Sequence, residues 1–368
     1  MASRGHSEGI TMSGGGLYSL ATIGAKDVID AATPLVIDAI NDLPLESIES
    51  GFTLSDMGTA DAGTSLSMVA NAIDAVRARV PEAPISIVYS DQPRNDFNAL
   101  ITNVHGLGPF ETYLDSHENI FPMVSGTTFY KQILPPNSLN IGFSATAMHW
   151  MSSKVCNISN HVQAVGAKGE EFNAFRAQAT RDWQQILLHR ASELKPGGKL
   201  VLINFARDAQ GRYLGNTGGV NMFDTFNQIW ISFLEQNRIN REEYENMTLP
   251  QYYNSVEEFS APLQDQSDPV YQAGLRLDHI DTRLVVCPFA KSFEEHGDAA
   301  RFAKEYIPTI RTWNESIYFN GLSTDRPLDE RREIIEDYYQ TYHDMVRDNP
   351  TGHGMDYIHA YMVISKAA

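Results

Sequence analysis

The hydrophobic pattern of this chain switches between the two periods that separate strands from helices. Phe52 to Asp56 reads as a short strand ending on an acid. Met57 to Thr64 is a turn of small residues containing Gly58 and Gly63. From Ser65 to Val80, the apolar residues Leu66, Val69, Ile73, Val76 and Val80 recur at helical spacing. Ile85 to Ser90 is a second strand, again followed by an acid, Asp91. Strand, glycine turn, helix and strand make a βαβ unit, whose right-handed crossover puts both strands in one parallel sheet. Upstream, Val28, Ile29, Leu35, Val36 and Ile40 predict a helix over 25–40 that Pro34 interrupts.

The pattern then repeats with more decoration. Leu139 to Phe143 is a strand, Phe172 to Leu194 a long helix, and Lys195 to Gly198 its end. Lys199 to Phe205 is the next strand. Residues 216–280 turn to polar helical segments carrying aromatics, which marks a cap or insertion. Thr282 to Phe289 is predicted as a strand, Ala299 to Ile317 and Asp329 to Val346 as helices, and Tyr357 to Ile364 as a terminal strand. The domain reading is a mobile Gly/Ser-rich arm over 1–16, a core over 17–215, a mainly helical cap over 216–280, and the end of the core with further cap helices over 281–368.

At 368 residues with 42% hydrophobic and 20% charged residues, the chain can bury a large core. Twenty-eight basic against 46 acidic residues give a net charge of −18, which argues against a general nucleic-acid or anionic-membrane binder. Two cysteines, Cys156 and Cys287, supply neither a disulfide framework nor zinc-ligand spacing, and the histidines show no metal spacing. No apolar stretch is long enough for a bilayer span and the start has no secretory h-region, so the expected location is cytoplasmic.

In an open α/β sheet, ligands bind beyond the carboxyl ends of the strands, where Asp56 and Asp91 stand. An acid after the second strand can accept both ribose hydroxyls. The dinucleotide fingerprint G-x-G-x-x-G is absent, and Asp61 within the turn would repel a pyrophosphate, which speaks against a nicotinamide-dependent oxidoreductase. A cationic nucleoside fits better. The alternative is that both acids only cap helices.

Longer strings carry more. They are Tyr18-Ser19, the run Ser90 to Asn98, Gly126 to Tyr130, the run Asn137 to Leu139, and Ser144 leading to Met148-His149-Trp150-Met151-Ser152. Together they resemble the SABATH family of S-adenosylmethionine-dependent carboxyl methyltransferases, with its N-D-L-P-x-N-D-F-N, G-S-F-Y and S-L-H-W-L-S forms. The resemblance continues through Glu193 to Leu202 and, more weakly, through Leu249 to Phe259 and Arg311 to Glu315. It implies an α/β fold of the class I methyltransferase (Rossmann-like) type: a mostly parallel seven-stranded sheet with an inserted helical cap. It also implies S-adenosylmethionine as cofactor, S-adenosylhomocysteine as product, and a homodimer as in other members.

By the same resemblance, Asp91 holds the cofactor ribose with Gln92 beside it, and Asp56 and Gly58 line the methionine end. Phe129 lies by the adenine, with Thr128 where the family usually has Ser. Tyr18 and Thr22 reach the cofactor, the Thr22 hydroxyl as donor to its carboxylate, and Ser144 and Ala145 border it. His149 and Trp150 match the substrate-binding pair and act by positioning, since a carboxylate needs no base at neutral pH. The family Gln that shares the carboxylate aligns with Ala25, and a common Tyr aligns with Thr146. Both changes open the acceptor side, which puts the small aromatic acids of plant members in doubt; of the small hydrophobic carboxylic acids the family takes, they point to a long aliphatic one, a fatty acid, as in bacterial members. Aromatic or terpenoid acids, and a non-catalytic cofactor-binding homologue, stay open as alternatives. Trp230, in the cap stretch with Phe223, Phe226 and Phe233, is a further acceptor-lining candidate, although aromatics at this spacing are more often core.

Overall fold

The computed structural model describes residues 17–367, so the arm read over 1–16 lies outside the described residues. The strands are β1 (Phe52–Met57), β2 (Ile85–Ser90), β3 (Ile120–Ser125), β4 (Leu139–Ala145), β5 (Leu194–Arg207), β6 (Asn254–Ser255), β7 (Leu275–Val285) and β8 (Tyr357–Lys366). Seven run in the order β3-β2-β1-β4-β5-β8-β7, with the two-residue β6 paired to β5. β1 pairs parallel with β2 and β4, β2 with β3, and β4 with β5, while β8 runs antiparallel to both neighbours. The mostly parallel sheet expected from the βαβ unit is thus present. β1, β2 and β4 are buried along almost their whole length because helices cover both faces.

One face packs on helices Ile23–Asn41 and Leu66–Arg79, through Val28, Val36, Val69, Ile73, Ile87 and Ile141. The other packs on helices Gly169–Glu193 and Val256–Gln264, through Trp183, Ile186, Leu200, Phe259 and Met362. Helices Met222–Glu235, Arg241–Asn246, Ala299–Gly321 and Leu328–Asp348 pack on one another as a cap. Its interior is aromatic: Trp230 stacks on Tyr338 at 4.4 Å and meets Tyr318 edge-on at 5.2 Å.

Four local readings change. Pro34 does not interrupt its helix, which runs unbroken from Ile23 to Asn41. Pro34 and Asp30, whose carbonyl loses its donor, both lie on the solvent side, where water can take the carbonyl. β3 has no counterpart in the hydrophobic pattern, because it is an edge strand with Phe121, Met123 and Val124 exposed and Pro122 within it. β7 lies at 275–285 rather than 282–289: it is the other edge, it alternates apolar and polar residues, and Pro288 opens a helix behind it. Lys195 to Gly198 is a bulge inside β5 rather than a separate turn, since Leu139 pairs with Leu194 and Ile141 with Lys199.

Candidate active site

The chain leaves β1 for β2 and β3, then returns to β4 on the other side of β1. The loops after β1 and β4 therefore diverge, and a crevice opens at the carboxyl ends of the strands. A cavity of about 480 Å³ fills it. Gly58, Ala60, Asp91, Gln92, Thr128 and Phe129 line one part; Thr146, His149, Trp150, Phe205 and Tyr357 line another. Tyr18, Thr22 and Ala25 reach the wall from the chain's first described helices. Gly24 makes that approach feasible: a Cβ there would stand 2.3 Å from the Tyr357 ring.

Asp91 is the centre of the first part. Its Oδ2 accepts from the Ala60 amide at 2.8 Å and its Oδ1 from the Gln92 amide at 2.7 Å. A carboxylate offers about four lone-pair sites, so each oxygen keeps one for a pair of neighbouring hydroxyls. Burial raises its pKa above the ordinary carboxylate value, against the two amide bonds that lower it. Ala60 points its amide at Asp91 from a left-handed conformation, φ 49°, and Asn95 holds the Ala60 carbonyl at 2.7 Å. Gly58 has φ 79°, and a Cβ on it would stand 2.4 Å from that of Ala147. Glycine therefore keeps the β1 turn against the β4 loop.

Four candidates lie off the cavity wall. The Asp56 carboxylate faces inward, accepting from Thr59 at 2.9 Å and Ser65 at 2.7 Å, and burial raises its pKa to about 6. It braces the β1 turn. The Ser144 hydroxyl donates back to the Met57 carbonyl at 2.7 Å, tying β4 to β1, and Ala145 is buried in the core. Trp230 is wholly buried in the cap, so its helical spacing reports packing rather than an acceptor wall. Thr22 lines the cavity, but its hydroxyl donates to the Tyr18 carbonyl at 2.7 Å, so the oxygen presents lone pairs rather than the expected donor. Asp61 is not a ligand-facing charge. It accepts from the Ser19 amide at 3.1 Å and the Ser19 hydroxyl, fastening the first helix to the turn.

The second part is aromatic and neutral. His149 meets Phe205 edge-on at 4.7 Å and Trp150 at 5.3 Å, and burial drives its pKa down to about 3. It is therefore an uncharged imidazole at working pH, and its Nδ1 has no partner among the described residues. The hydrogen bonds of Trp150 run through its backbone: its amide donates to the Ala147 carbonyl at 3.2 Å, and its carbonyl accepts from the Tyr130 hydroxyl. The indole N–H, a donor only, has no hydrogen-bond partner among the described residues and is left for the cavity. Thr146 has φ 57°, rare for a β-branched residue, and such strain collects at functional loops. The Tyr18 hydroxyl, raised to about 12 by burial, bonds the Thr146 side chain. Among the described residues, the side chains of charged type on the wall are Asp91, Arg94 and Lys131, in the segments that carry Asp91 and Phe129.

Sequence reasoning missed Gln251, Leu214, Trp313, Met355 and Tyr357 on this wall. It also missed the device behind Phe129. Arg190 and Glu193 are completely buried and paired at 2.6 Å. Arg190 donates to the carbonyls of Phe129 at 2.9 Å and Lys131 at 2.8 Å, while Glu193 accepts from the Leu134 amide at 3.2 Å. Their i,i+3 spacing resembles a surface pair, so nothing local marks them as buried. Among the described residues, no helix is long and apolar enough to cross a membrane, and no three His, Cys, Asp or Glu side chains could hold a metal ion.

Comparison with known proteins shows the family and the fold. The family model described as SAM dependent carboxyl methyltransferase matches residues 11–366. Methyltransferase LUC1 of Fusarium sp is 29% identical over 214 residues, covering 58% of this chain and only 56% of the fungal protein's own length. Loganic acid O-methyltransferase of Catharanthus roseus is 24% identical over 269 residues, covering 67% and 69%. Gibberellic acid methyltransferase 1 of Arabidopsis thaliana is 24% identical over 258 residues, covering 62% and 66%. A solved structure of loganic acid methyltransferase with SAH superposes with a TM-score of 0.74 at 20% identity, over 97% of this chain and 99% of that one, and so shares the fold.

Proposed function

This chain belongs to the SAM-dependent carboxyl methyltransferase family, and from that premise we propose that its cavity esterifies an apolar carboxylic acid. The cofactor fits the first part by chemistry. The two free lone-pair sites of Asp91 suit a ribose diol, and Phe129 offers a flat apolar face to an adenine. Tyr18, Thr22, Gly58, Gln92 and Thr128 complete that wall. When bound, the cofactor supplies an electrophilic methyl group on a sulfonium.

The remaining chemistry is positioning. A carboxylic acid with a pKa near ~4.3 is already ionised at neutral pH, so no group need take its proton. His149, held neutral, cannot serve as a cation and adds no acid or base function. The Trp150 indole N–H holds one carboxylate oxygen without neutralising it, leaving the other to face the methyl donor. Phe205, Leu214, Trp313 and Met355 keep water from the acid's body. Because charge is cancelled in the transfer, a dry and uncharged acceptor wall favours the step.

One observation carries this reading: among the described residues, the wall around His149 and Trp150 holds neutral hydrogen-bonding groups and apolar side chains, with the charged side chains confined to the segments of Asp91 and Phe129. An acid whose body carries further charge would find no counter-ion there. Ala25 and Thr146 remove bulk from this wall, which supports a flexible aliphatic acid. The loganic and gibberellic acid enzymes among the relatives favour a second reading, an alicyclic terpenoid acid. The test is S-adenosylhomocysteine release with decanoic, benzoic and loganic acids, the methyl esters identified by mass spectrometry. Conversion of decanoic acid alone supports the aliphatic reading, conversion of loganic acid the second, and conversion of none of the three removes the carboxyl acceptor.

A further inference from the structure

We propose that Gln251 supplies the second hydrogen-bond donor to the acceptor carboxylate, in place of the side-chain amide that Ala25 lacks. The inference rests on the carboxyl-acceptor reading above and assigns a residue to it. The segment 149–151 runs antiparallel to 250–252: Met151 donates to the Pro250 carbonyl at 2.9 Å and Tyr252 to the His149 carbonyl at 3.1 Å. These two bonds flank Trp150 and Gln251, which form an isolated antiparallel bridge. Trp150 and Gln251 exchange no backbone bond themselves, so they are a non-hydrogen-bonded pair. In such a pair the Cα atoms approach to ~4.5 Å and the side chains leave on the same face. The Gln251 amide therefore stands beside the Trp150 indole, and both line the cavity.

The orientation of that amide is fixed from behind. Its Oε1 accepts from the Tyr253 hydroxyl at 3.1 Å, within a buried site. With the oxygen so occupied, the amide presents its two N–H donors on the other side. Tyr253 also packs on His149, ring centroids 5.8 Å apart, and on Phe205 at 5.6 Å. One tyrosine thus braces both neighbouring members of the acceptor wall. The amide is uncharged, like Trp150 and His149, so a pair of neutral donors can orient a carboxylate without trapping it as an ion pair. Position 25 enters from the helix Ile23–Asn41 and holds a methyl group only, so the donor comes from the strip that carries Trp150's partner rather than from that helix.

Kinetics of four variants with decanoic, benzoic and loganic acids test this, alongside S-adenosylhomocysteine affinity by titration. Losing a hydrogen bond to a charged group corresponds to roughly a ten- to hundredfold effect. Gln251→Leu is expected to raise KM for the converted acid by that factor, with S-adenosylhomocysteine affinity unchanged. Gln251→Glu, nearly isosteric but anionic, should cost more. Ala25→Gln in the Gln251→Leu background should recover most of the loss by returning an amide from the opposite wall. Tyr253→Phe frees the amide to rotate and should raise KM severalfold, through positioning alone. Unchanged KM in Gln251→Leu, with wild-type conversion intact, overturns the assignment and leaves the carboxyl-acceptor reading standing. A Gln251→Leu loss that Ala25→Gln does not recover, with cofactor affinity falling in parallel, makes Gln251 a packing residue and also overturns it. No ester from the wild-type protein overturns both.

Discussion

Removing Arg190 should separate the stability of this fold from the shape of its cofactor wall. Arg190 and Glu193 are wholly buried and joined at 2.6 and 2.7 Å, and Arg190 also holds two carbonyls of the loop that carries Phe129. In Arg190→Met, the Glu193 carboxyl is left in the interior without its counter-ion. Breaking one side of a buried pair costs about 3–5 kcal/mol. Against a total stability of about 5–15 kcal/mol, that is a large fraction. At ~2.1 cal/mol/K per residue the 368-residue chain has an unfolding entropy of about 0.8 kcal/mol/K, so Tm should fall by roughly 4–7 °C. Replacing both partners, Arg190→Met with Glu193→Leu, removes the stranded charge and should recover most of the stability. It does not return the donors to the Phe129 and Lys131 carbonyls or the acceptor to the Leu134 amide. S-adenosylhomocysteine affinity, read by calorimetric titration below the new Tm, should stay reduced in the double variant. A single variant that loses under about 1 kcal/mol would refute the burial argument. A double variant with wild-type affinity would show that the ion pair does not shape the Phe129 loop.

Other outcomes follow from the same geometry. Asp91→Ala should weaken S-adenosylhomocysteine binding by roughly ten- to hundredfold, as expected for losing hydrogen bonds to a charged group, while equal affinity would move the ribose elsewhere. Gly58→Ala places a methyl group 2.4 Å from that of Ala147 at a left-handed φ of 79°, so a loss of about 1–2 kcal/mol from the backbone alone is expected by thermal melting, with weaker cofactor binding. His149 and His359 are both held neutral by burial, the first with its pKa lowered to about 3. The unfolded chain binds their protons near the ordinary histidine value of ~6.5 and the fold does not. The contribution of these two groups should thus be flat above that pH and fall below it, by up to about 1.4 kcal/mol per pH unit for each histidine, with the raised Asp56 and Asp91 acting in the opposite direction. His359→Phe should soften that slope in urea melts at decreasing pH, and an unchanged slope would assign the acid sensitivity to other groups.

The parts of the sheet that were legible in the sequence are those buried on both faces. β1 and β2 alternate apolar with polar or small residues, their connecting helix carries apolar residues at helical spacing, and a glycine turn separates β1 from that helix, so the pattern marks all three. The edges were less legible: β3 exposes Phe121, Met123 and Val124, and β7 alternates polar and apolar residues, so neither carries the signal of a central strand. At the site, Asp91, Gly58, His149 and Trp150 stand out because motifs surround them, and all four line one cavity. Asp56 shares the strand-end position of Asp91 but turns inward to Thr59 and Ser65, a choice made by side-chain hydroxyls that strand ends do not encode. Gln251 comes from a segment remote in sequence and reaches the wall through an isolated bridge to Trp150. Such contacts depend on how the cap segment folds back, which local periodicity does not carry.

The central claim is that this cavity joins a carboxylate oxygen to a methyl group. The most direct measurement uses cofactor labelled with deuterium in the transferred methyl, together with decanoic acid labelled with oxygen-18 in its carboxyl group. Mass spectrometry of the product should find a methyl ester that carries the deuterated methyl and retains both labelled oxygens. A methylated product that is not an ester, or an ester that has lost a labelled oxygen, would contradict direct transfer to the carboxylate.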